Sequence, residues 1–152
     1  DLDRASRAIT RSLSTQGIDG TAYVAVLKAV VTQASTAIPV VPLYFSILFK
    51  VMKERGTHED CVEHIDRLFR EQLYAKGDMR LDDIGRIRMD NYELDEDVQA
   101  VVAERWRAIS TANVAELADI DGFCDDFMRI FGFGIAGVDY DADVDPTLGR
   151  ES

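Results

Sequence analysis

Five residues near the middle of the chain have side chains that can transfer protons or bind metals. Tyr44 and Lys53 are nine positions apart, and an ammonium beside a phenol lowers the phenol pKa, as a proton-donor pair requires. In a continuous helix, however, nine residues place the two side chains about 180° apart. His58, Cys61 and His64 follow one another at intervals of three, but the two histidines diverge by roughly 240° around a helix. We therefore expect Tyr44 to lie in the core or in a pocket wall, and we expect no metal site.

Two further stretches near the end of the chain have the spacing of ligand-binding loops. Residues 132–137 read GFGIAG, but a dinucleotide loop follows a strand and opens a helix, whereas this one follows the predicted helical stretch 125–131. Aspartates alternate over 139–145, as in a calcium loop. The sixth and twelfth positions of that loop are Val144 and Arg150, so the turn glycine and the bidentate glutamate are missing. We expect a helix stop followed by a solvated acidic loop.

The most favourable position for a binding site is the end of a predicted buried strand. Residues 23–31 read YVAVLKAVV, a β-branched and apolar run that is typical of a parallel sheet covered on both faces. Val30, Val31 and Thr32 stand at its carboxyl end, where open parallel sheets bind their ligands. The hydroxyl of Thr32 and the neighbouring amides could hold a cofactor there. An ordinary connection between a strand and a helix explains the same residues equally well.

The elements that position this strand end are mostly helices. Apolar residues recur at helical spacing in six segments, which Gly, Pro or capping residues separate. Segment 32–36 predicts a polar loop, and 77–92 predicts a small two-stranded hairpin or an extended loop. Thr57 is the predicted N-cap of the third helix, and Asp121 is that of the last. The predicted helices are 1–16, 43–55, 57–73, 94–109, 113–118 and 121–131.

The composition limits the class of protein. The chain has 152 residues, a formal net charge of −11 and 47% apolar residues, which suits one globular domain and excludes a disordered acidic tail. A pI near 4.5 argues against nucleic-acid and anionic-membrane partners, because phosphate groups repel a net anion. The longest uncharged stretch, 29–49, contains Pro39 and Pro42 and is a poor membrane span. Cys61 and Cys124 are expected to be reduced thiols of a cytoplasmic protein.

Three stretches of the sequence carry a family resemblance. They are KAVVTQASTAIPVVPLYFSILFKVMKERGTHEDCVEHIDRLF at 28–69, LDDIGRIRMDNYELDEDVQ at 81–99 and FMRIFGFGIAGVDYDADVDP at 127–146. These stretches resemble the trans-2-enoyl-CoA reductase and FabV-type enoyl-acyl-carrier-protein reductase family. The chain begins at Asp1 and its first methionine is Met52, so we expect a piece of a longer polypeptide that resembles the family's final third.

The resemblance implies an activity and a place in a larger fold. Family members are single chains of more than twice this length, with a Rossmann-type core that binds NADH and reduces the double bond of a 2-enoyl thioester in fatty acid synthesis. The substrate is an enoyl-CoA or an enoyl-acyl-carrier-protein. The family's catalytic Tyr and Lys would lie upstream of Asp1, so we expect no catalytic residue here and no activity of the chain alone. Tyr44 and Lys53 share the spacing of that pair but lie downstream of where it belongs.

The resemblance also implies two groups of binding residues. Val30, Val31 and Thr32 resemble the family stretch that meets the nicotinamide end of NAD after a sheet strand, and Thr32 is the strongest candidate. The second group is an apolar wall for the acyl chain, although plain core packing explains its residues as well. The predicted wall consists of Pro42, Leu43, Tyr44, Phe45 and Leu48.

The predicted fold class is α/β, as the mostly helical carboxy-terminal part of a Rossmann-type, short-chain-dehydrogenase-like parallel sheet. Residues 1–56 are predicted to end the NAD-binding core, and 57–152 to form a helical region with a small hairpin and an acidic tail loop. The alternative is a non-enzymatic acidic helical module that binds a protein partner, which the net charge of −11 favours. Such a module would fold alone and ignore NADH, whereas an enzyme would need the upstream part of its polypeptide.

Overall fold

The structure is a computed structural model that describes residues 1–75, 77 and 79–144. Asp78, Asp145 and Arg150, which belong to predicted features, lie outside the described residues. Helices dominate the chain and two short strands form a parallel sheet, so the predicted α/β class is confirmed at this level. The elements are α1 (Leu2–Thr15), β1 (Ala25–Val26), α2 (Gln33–Ala37), α3 (Val41–Glu54), α4 (Cys61–Leu68), a π-helical turn (Phe69–Leu73), β2 (Ile87–Arg88), α5 (Glu96–Ala108), α6 (Val114–Leu117) and α7 (Ile120–Ile130).

The strand predicted over 23–31 is much shorter in the structure. The two residues of β1 pair in parallel with the two residues of β2. Because β2 is so short, the ladder does not continue beside residues 27–31 in the described part of the chain. Of the two predictions for 77–92, the extended loop describes most of the described residues, and β2 pairs with β1. A single antiparallel bridge between Leu81 and Ile87 resembles a hairpin there.

Two helices begin at residues other than the predicted caps, and both observed caps are aspartates. Asp60 caps α4: its side chain accepts a hydrogen bond from the Glu63 amide at 2.8 Å, while the Glu63 carboxylate accepts from the Asp60 amide at 2.9 Å. This reciprocal pair satisfies two amides that the first turn would otherwise leave unbonded, so the predicted cap at Thr57 is wrong. Asp119 rather than Asp121 caps α7, because its carboxylate accepts from an amide of the first turn.

The segment between β1 and α3 contains a short helix where a loop was predicted. Residues 32–36 form most of α2 with Thr32 at the N-cap position, which polar residues favour. The helix ends before Pro39, since a proline disfavours helical geometry in the residue that precedes it. Val40 has a φ of 74°, in the left-handed region that β-branched residues rarely adopt. Pro42 then lies in the first turn of α3, where its missing N–H is not needed.

The uncharged stretch 29–49 is thus divided between the segment after β1, helix α2 and the first part of α3. It does not form one continuous helix. Within the described residues, no helix is long and apolar enough to cross a membrane.

Helix α3 lies at the centre of the hydrophobic core and packs against α5 and α7. Most of its circumference is buried, as predicted for 43–55, and each large apolar side chain buried there contributes about 1.5–3 kcal/mol. The predicted regions 1–56 and 57–152 therefore share this core. Its buried residues are Val31, Ile47, Leu48, Phe49, Val51, Met52, Val98, Val102, Ala118 and Phe123.

Candidate functional site

The backbone that follows β1 is held by side chains rather than by a neighbouring strand. The Lys28 amide donates a hydrogen bond to Nε2 of His64 over 3.3 Å. The Ala29 amide donates to Oε2 of Glu93. His64 lies on α4, and Glu93 lies between β2 and α5. These two bonds replace part of the ladder that residues 27–31 lack, as buried backbone donors require.

Ser35 on α2 holds the far end of the same segment. Its hydroxyl oxygen accepts a hydrogen bond from the Thr32 amide at 2.9 Å and lies 3.0 Å from Oγ1 of Thr32. The Ser35 hydroxyl donates to the Val30 carbonyl over 3.4 Å. Ser35 is buried and Thr32 is exposed. Of the predicted cofactor residues, Thr32 therefore presents its side chain to the surface and Val30 is half-buried. Val31 is 2% exposed as a whole residue and belongs to the core, so its contact with a cofactor stays a prediction.

A buried ionic network is attached to this segment through Glu59. The Glu59 carboxylate binds Nδ1 of His64 at 2.9 Å and the Arg67 guanidinium at 3.0 Å. The Glu59 backbone carbonyl accepts from Nζ of Lys28 at 2.7 Å. Because Lys28, His64 and Arg67 are at most 3% exposed, these contacts take the place of water around the charges.

The hydrogen bonds define the protonation state of His64. Its Nε2 accepts from the Lys28 amide and so carries no proton, which leaves Nδ1 to donate to Glu59. Burial lowers the pKa of His64, against the raising effect of the Glu59 carboxylate. Burial also acts to raise the pKa of Glu59, but the hydrogen bonds from Arg67 and His64 outweigh it and hold that pKa below its usual value. The network therefore contains a carboxylate, a guanidinium and a neutral imidazole at pH 7.

Arg67 extends the network to the residues that precede Glu93. Its guanidinium donates to the Met89 carbonyl at 3.0 Å and to the side-chain oxygen of Asn91 at 3.3 Å. It also lies 4.4 Å from the centroid of the Tyr92 ring, where a cation is attracted to the ring face. Arg67 thus fixes the backbone from which Glu93 reaches the strand end.

The Glu93 carboxylate also contacts helix α3. Its Oε1 accepts from the Tyr44 hydroxyl at 3.0 Å. The side-chain amide of Gln99 donates to the Glu93 carbonyl at 2.7 Å and to the Tyr44 oxygen at 3.4 Å. Burial raises the pKa of Tyr44, and Glu93 raises it further, against the lowering effect of Gln99. Tyr44 therefore keeps its proton and acts as a hydrogen-bond donor to Glu93.

The predicted acyl-wall residues differ in exposure. Residues 42–45, in the first turn of α3, are half-buried, so part of each side chain is accessible. Leu48 is completely buried in the core. Residues 42–45 can therefore line a surface beside the strand end, whereas Leu48 packs inside the core and its contact with an acyl chain stays a prediction.

Tyr44 and Lys53 lie apart on α3, as predicted. Tyr44 contacts Glu93, whereas Lys53 forms an ion pair with Asp119 of the α7 cap at 2.7 Å. The two side chains do not converge on one site.

His58 and His64 are also separated in the structure. Nε2 of His58 lies 3.2 Å from the Asp126 carboxylate, whereas His64 belongs to the buried network. Cys61 between them is half-buried and unbonded to sulfur. In the part of the chain that the structure describes, no three His, Cys, Asp or Glu side chains are grouped so as to hold a metal.

The glycine-rich stretch 132–137 forms turns after the end of α7. Gly132, Gly134 and Gly137 have positive φ values of 83°, 69° and 83°, which glycine adopts without a steric penalty. The Tyr140 hydroxyl donates to the Gly132 carbonyl at 2.7 Å and closes the loop. The predicted helix stop and loop is confirmed.

The polar residues that hold the strand end were not identified from the sequence. Lys28 gave one signal, because it interrupts an otherwise apolar buried run, and a buried ammonium requires acceptors. The sequence does not show which acceptors, since Glu59, whose carbonyl accepts from the ammonium, is 31 positions away. Glu93, which accepts from the Ala29 amide, is still farther along the chain.

Two family models match the chain. Residues 1–74 match the trans-2-enoyl-CoA reductase catalytic region. Residues 81–144 match a model described as an enoyl reductase FAD binding domain. Together the two matches include most of the described residues.

Curated enoyl reductases align with nearly the whole chain. The chain is 56% identical over 148 residues to an NADH-dependent enoyl-acyl-carrier-protein reductase of Edwardsiella ictaluri, which covers 97% of this chain and 36% of that protein. The corresponding enzyme of Aeromonas salmonicida is 55% identical, with the same coverage. The chain thus spans about a third of the length of these curated relatives.

Solved structures of trans-2-enoyl-CoA reductases share the fold of this chain. The Clostridium acetobutulicum trans-2-enoyl-CoA reductase in complex with NADH is 45% identical and superposes with a TM-score of 0.84, covering 95% of this chain and 36% of that one. The Treponema denticola trans-2-enoyl-CoA reductase in complex with NAD is 42% identical, with a TM-score of 0.81, over 94% of this chain and 35% of that one.

The glycine-rich loop 132–137, which lies within the match to the second family model, does not fit the pyrophosphate of a flavin dinucleotide. A dinucleotide pyrophosphate needs free amides at a helix N-terminus. The glycine loop 132–137 instead follows the C-terminus of α7, where the helix dipole is negative, and continues towards Asp139, Asp141 and Asp143. An anionic group would be repelled at this loop.

Proposed function

Because the chain belongs to the enoyl reductase family, we propose that it is part of an NADH-dependent reductase of trans-2-enoyl thioesters in fatty acid synthesis. The thioester carrier is coenzyme A or an acyl-carrier protein, the two carriers in the names of its relatives. The reaction reduces the carbon-carbon double bond. Similarity to NADH-dependent reductases over 97% of the chain favours this function over an acidic interaction module.

The arrangement at the end of β1 is the observation that carries the proposal. Val30–Thr32 lie beyond the carboxyl end of the parallel strand β1, separated from Val26 by three residues, on the side where sheets of this type bind nucleotide cofactors. Backbone groups on both sides of the segment are fixed by His64, Glu93 and Ser35. A rigid segment that ends at Thr32, an exposed residue whose hydroxyl lies 3.0 Å from that of Ser35, suits a group that must be oriented rather than merely bound.

The enzyme also needs an upstream part of the same polypeptide in this proposal. Residues 1–56 end a Rossmann-type, short-chain-dehydrogenase-like core, and 57–152 form its carboxy-terminal helical region. The upstream part of the polypeptide supplies the nucleotide-binding loop and the catalytic Tyr and Lys of the family. The enzyme is cytoplasmic, and this chain alone does not turn over substrate.

The residues of this chain orient both reactants in the proposed mechanism. When bound, NADH supplies the hydride that adds to the β-carbon of the enoyl thioester. The Thr32 hydroxyl and the adjacent backbone hold the nicotinamide carboxamide and thereby select the face from which hydride leaves. The half-buried side chains of residues 42–45 exclude water from the acyl chain beside it.

The proposal is tested with the full-length polypeptide that carries this chain, assayed for NADH oxidation with crotonyl-CoA and with crotonyl-acyl-carrier protein. We expect turnover with at least one carrier and none from residues 1–152 alone. Thr32→Ala should raise the KM for NADH about tenfold, because one positioned hydrogen bond contributes about 1.4 kcal/mol.

Thr36→Ala is the matched control for this assay, because Thr36 is an exposed threonine on α2 that hydrogen-bonds within its own helix. Its kinetic constants should match those of the unmodified enzyme. Absence of NADH oxidation with both thioesters would contradict the proposed activity. An unchanged KM for NADH in Thr32→Ala would contradict the assigned role of Thr32.

A further inference from the structure

One carboxylate joins the two predicted binding regions. Oε2 of Glu93 accepts from the Ala29 amide, immediately before Val30, and Oε1 accepts from the Tyr44 hydroxyl in the first turns of α3. The nicotinamide segment and the acyl wall therefore have a hydrogen-bonding partner in common. Glu93 itself belongs to neither region.

Glu93 is held from two further directions. Gln99 on α5 donates to the Glu93 carbonyl at 2.7 Å. Arg67 binds the Met89 carbonyl and stacks on Tyr92, the residue before Glu93. Because its backbone is anchored on both sides, the carboxylate cannot follow a movement of Tyr44 without losing its bond to the strand.

We propose that Glu93 is a positioning residue that couples the placement of the nicotinamide segment Val30–Thr32 to the placement of Tyr44 in the acyl wall. This inference rests on the proposed function of the two regions. A carboxylate suits the task because it accepts two hydrogen bonds at once and donates none. Hydrogen bonds to a charged acceptor are also stronger than those between neutral groups.

The coupling has a kinetic consequence. A shift of the Ala29 amide moves the adjoining cofactor residues, and small displacements of a reactant change the rate strongly. Removal of the Glu93 charge should therefore alter binding of NADH as well as that of the thioester. Removal of the Tyr44 hydroxyl breaks one of the same two bonds, so the two changes should not be independent.

The test is a double-mutant cycle in the full-length enzyme with Glu93→Gln, Tyr44→Phe and the double variant. Steady-state kinetics give kcat, the KM for NADH and the KM for crotonyl thioester. We expect Glu93→Gln to raise the KM for NADH at least fivefold and to lower kcat about tenfold. Tyr44→Phe should raise the thioester KM about threefold, but less than 1.5-fold when added to Glu93→Gln.

Glu104→Gln is the control, since Glu104 is an exposed carboxylate on α5, and its kinetic constants should not change. The melting temperature of every variant separates positioning from loss of folded protein. The inference is overturned if the effects of Glu93→Gln and Tyr44→Phe multiply, or if Glu93→Gln changes kcat and both KM values less than twofold. It is also overturned if the lost activity only follows the lost folded fraction. An unmodified enzyme without NADH oxidation would instead refute the proposed function.

Discussion

The core around α3 and the strand end after β1 are stabilised by different interactions. In the core, Ile47, Phe49 and Met52 are at most 1% exposed and pack against apolar residues of α5 and α7. At the strand end, equally buried side chains are charged or polar, and Glu59 and Arg67 bind each other there. Apolar packing has no preferred direction, whereas hydrogen bonds fix angles and distances. The polar region is therefore the one that can place a cofactor accurately.

The largest expected effect is the loss of folding stability when the buried ion pair of the polar region is broken. Glu59→Gln removes the carboxylate that binds the buried Arg67 guanidinium most closely and leaves it the partly exposed Glu71 carboxylate at 3.8 Å. Breaking the buried pair should lower the free energy of unfolding by about 3–5 kcal/mol. Urea unfolding of the chain, followed by the fluorescence of its single tryptophan, Trp106, measures this change. The exposed pair Asp66 and Arg70 is the control, and Asp66→Asn should cost less than about 1 kcal/mol. If Glu59→Gln and Asp66→Asn lowered the free energy of unfolding equally, burial would not determine how much an ion pair contributes here.

A smaller loss is expected in the apolar core. Ile47→Ala removes a fully buried side chain and should lower the free energy of unfolding by about 3 kcal/mol, from lost burial and the cavity that remains. Val62→Ala is the control on α4, where the side chain is 76% exposed, and it should change stability by less than about 0.5 kcal/mol. The same urea titration measures both changes. If Ile47→Ala lowered the free energy of unfolding as little as Val62→Ala, α3 would not be the central helix of the core.

The smallest expected effect is a pH dependence that belongs to the polar region alone. His64 has a usual pKa of 6.5 that burial lowers in the folded chain, so the unfolded chain binds more protons below that pH. Stability should therefore be complete above pH 6.5 and fall as the pH decreases below it. His64→Gln should remove this slope, whereas His58→Gln should retain it. Urea unfolding at a series of pH values tests this, and an identical slope in His64→Gln and the unmodified chain would refute it.

The same contrast explains which parts of the fold could be predicted from the sequence. The helical repeat of apolar residues predicted α1, α3, α5 and α7 to within a few residues, because the spacing of apolar side chains along a helix is a property of the local sequence. The glycine-rich stretch 132–137 was correctly separated from a dinucleotide loop by its position after a helix. These are local features.

The errors arose where distant residues decide the structure. Residues 23–31 have the composition of a long strand, yet only β1 pairs, because the length of a strand depends on its neighbour and β2 is short. The cap of α4 is the exception, a local error: Asp60 and Glu63 bond each other's amides, whereas the Thr57 hydroxyl donates to the Met52 carbonyl of α3. Glu93 could not be linked to Ala29 from the sequence, because 64 positions separate them.

The position of the nicotinamide is the most direct test of the account. A structure of the full-length enzyme with bound NADH would measure the distances from the nicotinamide carboxamide to Val30, Val31 and Thr32. We predict a hydrogen bond between the carboxamide and this segment, with the Ala29 amide still bonded to Glu93. A nicotinamide bound elsewhere, with no polar contact to these three residues, would contradict it.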